Sequence, residues 1–145
     1  MKAYDPEDPG MIRGTIYVFS TLVAVLIDIG VSHSFLTTDL VWDSKILVEP
    51  LTQPLRLETP MREDSTIIHW CRQCDLNLGG ESFGCDLLVA VPSLYDVILG
   101  MDWLSTVHDQ IDYFRRRVQC VRNDGKRFSF VGEKETHAVQ DGLTH

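Results

Sequence analysis

The chain has 145 residues, of which 44% are hydrophobic and 23% are charged, as in an ordinary single folded domain. Its formal net charge of −8 argues against direct binding to nucleic acid, because that binding depends on basic residues that face phosphates. The most apolar stretch, residues 15–30, is interrupted by polar side chains and is short for a membrane span, so we expect no membrane association and an intracellular, cytoplasmic protein.

The predicted elements, in chain order, are mostly short strands. Residues 1–11 are predicted to be a linker, residues 12–131 a folded domain, and residues 132–145 a linker or tail. Strands are expected over residues 15–19, 22–27, 55–57, 66–78, 83–91, 96–99, 117–122 and 127–131, with hairpin turns at residues 79–80 and 123–125. Short helices are expected over residues 34–41 and 101–107. Many strands with little helix indicate a β-barrel or a sandwich.

Two of the four cysteines raise the question of a zinc site. Cys71 and Cys74 form a Cys-x-x-Cys motif near His69, but the second pair that such a site normally has is missing. The motif lies in a predicted strand, where side chains three positions apart point to opposite faces. We therefore expect free thiols, no bound metal and no disulfide between Cys71 and Cys74.

One carboxylate stands at the end of the apolar run VAVLIDIGVSHSFL, residues 23–36. Asp28 follows a predicted buried strand and precedes Ile29 and Gly30. Burial of a lone ionised carboxylate is costly, so such a group is normally neutralised, paired or hydrogen-bonded. A turn-forming aspartate at the end of a strand is one interpretation. A second apolar run that ends at a glycine, DVILG at residues 96–100, favours the interpretation that Asp28 has a function.

The blocks LIDIGVSHSF and YDVILGMDWLS, followed by IDY and RVQC, resemble the retropepsins, the retrovirus-type aspartic proteases, and in particular those of gypsy-type LTR retrotransposon polyproteins. The resemblance covers roughly residues 12–131. It implies an all-β fold, a small closed β-barrel with one or two short helices that acts as a homodimer. It also implies an aspartic endopeptidase that acts on a peptide or polyprotein and uses no cofactor.

The resemblance assigns roles to the residues around Asp28. Asp28 would be catalytic and would pair with Asp28 of a second copy. Two such carboxyls share a proton, so that one activates a water molecule while the other donates to the scissile carbonyl. Gly30, Val31 and Ser32 would line the substrate cleft. A Ser32 nucleophile is a poor alternative, because GVSHS lacks the closing glycine of a nucleophile elbow.

Two residues depart from the family's pattern. Ile29 takes the place of a Ser or Thr whose hydroxyl makes a buried hydrogen bond across the dimer, and Val31 takes the place of a small Ala. The hairpin tip TPMREDS, residues 59–65, lacks the glycines that many such tips contain. The sequence thus leaves two functions open, an active endopeptidase or a catalytically impaired domain that acts as a dimerisation or peptide-binding module. By the hydrogen-bond argument, Ile29→Thr is expected to tighten dimerisation.

Overall fold

The computed structural model describes residues 11–58, 64–90, 95–107, 110–122 and 124–133, and 62% of these residues lie in strands. The strands are β1 Met11–Val18, β2 Thr21–Asp28, β3 Phe35–Thr37, β4 Glu49–Glu58, β5 Asp64–Leu78, β6 Glu81–Ala90, β7 Val97–Leu99, β8 Ile111–Asp112, β9 Arg117–Val121 and β10 Arg127–Val131. The helices are α1 Thr38–Ser44 and α2 Met101–Val107. The prediction of a mostly β protein with two short helices is confirmed. Among the described residues, neither helix has the length and apolar character to cross a membrane.

Seven strands form one sheet in the order β1-β2-β7-β3-β6-β5-β4, and β1 also pairs with β5. The strands β10, β9 and β8 form a second sheet. The pairs β2–β7 and β3–β6 are parallel, whereas the other pairs are antiparallel. Strands β3 and β7 are buried at all three positions, and the sequence of β7, Val-Ile-Leu, is accordingly an unbroken apolar run.

Most of the core is one apolar cluster that joins both sheets to helix α2. It includes Val25, Leu99, Trp103 and Phe130, all of which are at most 4% exposed. A smaller cluster of Phe35, Ile67, Leu88 and Ala90 lies where β3 and β6 meet β5. The larger cluster fixes α2 against the sheet, and this contact positions the residues that follow β7.

Residues 34–37 differ from the helix predicted over residues 34–41. Phe35–Thr37 form β3, because they pair with β7 on one side and with β6 on the other, and that tertiary pairing outweighs local helix preference. Helix α1 begins only at Thr38, and the Thr37 hydroxyl caps it by accepting a hydrogen bond from the Leu40 N–H at 3.3 Å. The short strand β8 was not predicted from the sequence.

Cys71 and Cys74 do not point apart, and the prediction from regular strand geometry is wrong. The β5–β6 register shifts between these residues, and Gln73 has a positive φ of 51°, so a bulge turns both thiols into the core. The hydrogen bond between them lowers the pKa of Cys71 and raises the pKa of Cys74, to which burial adds. All four cysteines are free, and the described part of the chain contains no cluster of ligands suited to a metal ion.

We expect slow thiol chemistry in the folded protein. Burial raises the pKa of the half-buried Cys85 to about 12, so its thiolate is scarce at pH 8, and the other three cysteines are buried. Reaction of Cys85 with an aromatic disulfide reagent at pH 8 should be at least about a hundredfold slower than that of free cysteine. After unfolding in urea, all four thiols should react with the reagent. A fast thiol in the folded protein that is lost in Cys85→Ser would contradict this prediction.

The turn between β5 and β6 provides a matched test of the packing between the two sheets. Gly79 and Gly80 both have positive φ, at 58° and 89°, but a Cβ on Gly79 would collide with the backbone oxygen of Ser129 in β10, whereas a Cβ on Gly80 would meet nothing. Gly80→Ala should therefore lower the free energy of unfolding by about 1–2 kcal/mol through backbone strain alone. Gly79→Ala should add a packing cost of about 1–3 kcal/mol. If urea denaturation shows that Gly79→Ala and Gly80→Ala lower the free energy of unfolding equally, β10 does not pack against this turn.

Candidate active site

Asp28 is the last residue of β2, and the turn that follows holds its carboxylate. The Gly30 N–H donates a hydrogen bond to Asp28 Oδ1 at 2.8 Å, and the Val31 N–H donates to the Asp28 carbonyl oxygen at 3.3 Å. Asp28 is half-buried, while Ile29 and Gly30 are exposed. A hydrogen bond from a backbone N–H to a carboxylate is charge-assisted and fixes the direction of the carboxylate. The local sequence thus presents an oriented carboxylate at the surface end of a buried strand.

The two glycine-terminated apolar runs meet at one edge of the sheet. Strands β2 and β7 are parallel, with Ile27 opposite Leu99. The segments that follow these two strands therefore leave the sheet at the same end. The residues after β2 then lie against the residues after β7. Asp102 N–H donates to the Ser32 carbonyl at 3.2 Å, and Met101 N–H donates to the Val31 carbonyl at 2.8 Å.

Gly100 allows this close approach. A Cβ at position 100 would collide with the carbonyl oxygens of Val31 and His33, both of which lie in the loop after Asp28. Glycine is the residue that permits backbone to pass so near to backbone. The glycine of the second block therefore has a packing reason that the sequence pattern alone does not give.

A polar network centred on the buried Ser34 fastens the loop to helix α2. The Ser34 hydroxyl donates to Asp102 Oδ1 at 2.5 Å and accepts from the Gly100 N–H at 3.0 Å, while the Ser34 N–H donates to Asp102 Oδ2 at 3.2 Å. Asp102 Oδ1 also accepts from the Trp103 N–H at 2.6 Å. Ser34 is completely buried, so these bonds satisfy its hydroxyl and N–H where water does not reach, whereas Asp102 itself is exposed. The network joins residues that are 68 positions apart in the chain.

The predicted cleft residues lie in this same loop but in different surroundings. Val31 is half-buried and packs against the smaller apolar cluster, which Leu57 of β4 also contacts. Ser32 is exposed, and its hydroxyl lies 3.0 Å from His33 Nδ1. The structure thus groups Asp28, Gly30, Val31 and Ser32 in one loop, and their roles in catalysis stay predictions. Residues 59–63 of the hairpin tip lie outside the described residues, and Asp64 and Ser65 begin β5.

Sequence reasoning missed Ser34 and Asp102. It assigned Ser34 to the helix expected over residues 34–41 and Asp102 to the helix expected over residues 101–107. The signal that could have found them is a polar residue inside each apolar block, since buried polar groups need partners. Which residue would partner which could not be deduced without the parallel pairing of β2 and β7.

The Ser34 hydroxyl offers a test of this network. Ser34→Ala removes a hydrogen bond to a carboxylate and leaves the buried Gly100 N–H without its acceptor. We expect a loss of about 2–5 kcal/mol in the free energy of unfolding, measured by urea denaturation. Ser32→Ala, two residues away and exposed, is the matched control and should change stability by less than about 0.5 kcal/mol. Similar effects in both variants would contradict a structural role for the network.

Comparison with known proteins agrees with this geometry. The family model of the retroviral aspartyl protease matches residues 2–126. The crystal structure of the retroviral protease-like domain of Ddi1 from Leishmania major matches with a TM-score of 0.64 and 19% sequence identity, covering 86% of this chain and 97% of that chain. At this identity, the likeness shows a shared fold. The comparison with curated proteins gives no match. By the family match, this chain belongs to the retroviral aspartyl proteases, and it has a retropepsin-like fold.

Proposed function

We propose that the protein is an aspartic endopeptidase of the retrotransposon polyprotein type, active as a homodimer. The observation that carries the proposal is the position of Asp28, at the end of a buried strand with its carboxylate held by the Gly30 N–H, in a chain that belongs to the retroviral aspartyl proteases. The pairing of β1 with β5, in addition to the pairings along the large sheet, supports a closed barrel as the protomer.

The reaction needs a second carboxyl group, and the loop of one chain contains one aspartate. A two-fold axis beside this loop would bring in Asp28 of a second copy. Two carboxyls at hydrogen-bond distance do not both ionise readily, so the pair holds one proton and titrates as a unit. The ionised member then removes a proton from a water molecule as it attacks the peptide carbonyl, and the protonated member donates to the carbonyl oxygen.

The substrate in this proposal is an extended peptide segment. Strand β4 is at the edge of the large sheet and is mostly exposed, and Val31 with Leu57 supplies apolar surface where the β4–β5 hairpin approaches the Asp28 loop. An extended peptide can hydrogen-bond to backbone groups while its side chains enter apolar pockets. Four free thiols are typical of a reducing compartment, which supports the proposal that the protein is cytoplasmic.

A second function is favoured by one specific residue. Ile29 carries no hydroxyl at the position where the family has Ser or Thr, so a retropepsin-like domain that dimerises or binds peptides without cutting them is the alternative. The retroviral protease-like domain of Ddi1, whose solved structure matches this chain, shares its fold and is described as protease-like. The endopeptidase and the binding module would share the same geometry at Asp28, and only the endopeptidase would cut the bound peptide.

The proposed activity is tested by digestion of an unstructured polypeptide across a pH series. The wild-type protein should cleave best at mildly acidic pH with a bell-shaped profile, because the active pair carries one proton. Asp28→Asn should lower the rate by about 10²–10⁴-fold, which is the usual contribution of general acid–base groups. Asp43→Asn, an exposed aspartate in α1, is the matched control and should leave the rate unchanged.

Two results would decide against the endopeptidase. Cleavage that persists in Asp28→Asn would show that Asp28 is not the catalytic group. A wild-type protein that dimerises and binds the polypeptide but does not cut it would favour the binding module.

A further inference from the structure

A cavity of about 660 Å³ opens between the β5–β6 hairpin, helix α2 and the β9–β10 hairpin. Its lining includes three aromatic side chains, Phe83, Trp103 and Phe128. Phe83 joins the other two, with ring centroids 5.9 Å from Trp103 and 6.0 Å from Phe128. Residues 28–33, the loop of the candidate active site, take no part in this lining. The cavity has the size of a site for a small ligand or a short peptide segment.

Two carboxylates of the lining, Asp86 and Asp102, have no cation beside them. Each accepts hydrogen bonds from backbone N–H groups, but neither forms an ion pair with a cation among the residues that the structure describes. Their charges act inside the cavity, because they add to the effect of burial in raising the pKa of Cys85, another lining residue, to about 12. A cation that enters this cavity is therefore attracted.

The basic residue of the lining does not neutralise these two carboxylates. Arg122 lies 3.0 Å from a carboxylate oxygen of Glu81 and 3.7 Å from one of Asp124. Glu81 also contacts the Lys126 ammonium group at 3.0 Å. Two cations and two carboxylates thus balance one another in this group. The charges of Asp86 and Asp102 are left over.

The indole N–H of Trp103 is a second group without a partner. Trp103 is 2% exposed, and its Nε1 atom is buried with no hydrogen-bond acceptor among the described residues. An unsatisfied buried donor costs free energy, and an occupant that brings an oxygen atom to it removes that cost. Because the donor is covered, the oxygen reaches it only when a neighbouring side chain moves. The half-buried Phe83 ring, which stacks on the indole at an interplanar angle of 19°, is such a neighbour.

We propose that this cavity binds a basic residue, Lys or Arg, of a peptide. The charged head lies against Asp86 and Asp102, the apolar stem lies against the rings of Phe83 and Phe128, and a backbone carbonyl oxygen of the peptide accepts from the Trp103 N–H. A Lys or Arg residue in a peptide has all three features, namely a cation, a hydrocarbon stem and an adjacent carbonyl group. The aromatic walls also favour a cation. The site recognises a peptide and cuts nothing.

NMR of the nitrogen-labelled full chain tests the site through the indole N–H signals of its three tryptophans, Trp42, Trp70 and Trp103. The variants Trp42→Phe and Trp70→Phe identify the Trp103 signal by elimination. The tripeptide acetyl-Leu-Lys-Leu-amide should shift the Trp103 proton downfield, because its N–H gains an acceptor. The dissociation constant should be on the order of 1 mM, since exposed charge pairs contribute little. The tripeptide acetyl-Leu-Glu-Leu-amide should leave the signal in place.

Asp86→Asn tests the charge, because asparagine keeps an acceptor for the Gln73 N–H. It should weaken binding of the Lys tripeptide about two- to fivefold. Asp43→Asn, an exposed aspartate of α1 outside the lining, is the matched control and should bind as the wild type does. If Asp86→Asn does not fold, an increase in salt to about 500 mM is the second test and should weaken binding by a similar factor. Pentylamine, which has the cation and stem but no carbonyl group, should bind more weakly and leave the Trp103 signal in place.

Three results would overturn the proposal. Equal shifts with the Lys and Glu tripeptides would show that charge does not select the occupant. A Trp103 signal that the Lys tripeptide does not move would show that the indole N–H meets no acceptor of the peptide. A shift of the same size with pentylamine would contradict the role of the carbonyl group. Binding is measured without cleavage, so failure of this site would leave the proposed endopeptidase untouched.

Discussion

The buried hydroxyl of Ser34 is the point on which the site geometry depends. It accepts a hydrogen bond from Gly100 and donates one to Asp102, and so it joins the loop after β2 to the helix after β7. Hydrogen bonds to charged groups contribute about 1.5–3 kcal/mol each, and an unpartnered buried group costs a similar amount. Removal of the Ser34 hydroxyl therefore lowers stability, and the intact network fixes the loop after Asp28 relative to α2.

From that position follow the two properties that bear on function. The carboxylate of Asp28 is oriented by the Gly30 N–H at the end of a rigid strand, as a general acid or base requires. The side chains of Ile29 and Met101, which line one groove, expose apolar surface. In the proposed dimer, the second copy supplies the second carboxyl.

The sequence predicted those parts of the fold that depend on local patterns. The β1–β2 and β5–β6 hairpins follow from apolar runs and turn residues, and helix α2 follows from its apolar spacing. It did not predict β3, whose three residues become a strand through pairing with β6 and β7. The bulge at Gln73 likewise depends on the register of the partner strand, so the positions of Cys71 and Cys74 could not be read from the alternation of one strand.

At the site, the motif around Asp28 predicted the turn, but the partners that hold it lie far away in the sequence. Ser34 and Asp102 look like ordinary polar residues until the parallel pairing of β2 and β7 brings them together. Ile29 was interpreted from the family's pattern as a lost hydroxyl, because the apolar residues of α2, β8 and β9 that surround it become neighbours only in the folded chain.

Cross-linking across the two-fold axis tests most directly whether two Asp28 turns face each other, and it does not require catalysis. A cysteine introduced as Ile29→Cys, treated with a short bifunctional maleimide, should give covalent dimers on a denaturing gel. Wild type, whose four thiols are buried or half-buried, and Leu22→Cys, at the far end of β2, should remain monomeric on the same gel. Failure of Ile29→Cys to cross-link, or equal cross-linking at Leu22→Cys, would contradict a site shared between two copies.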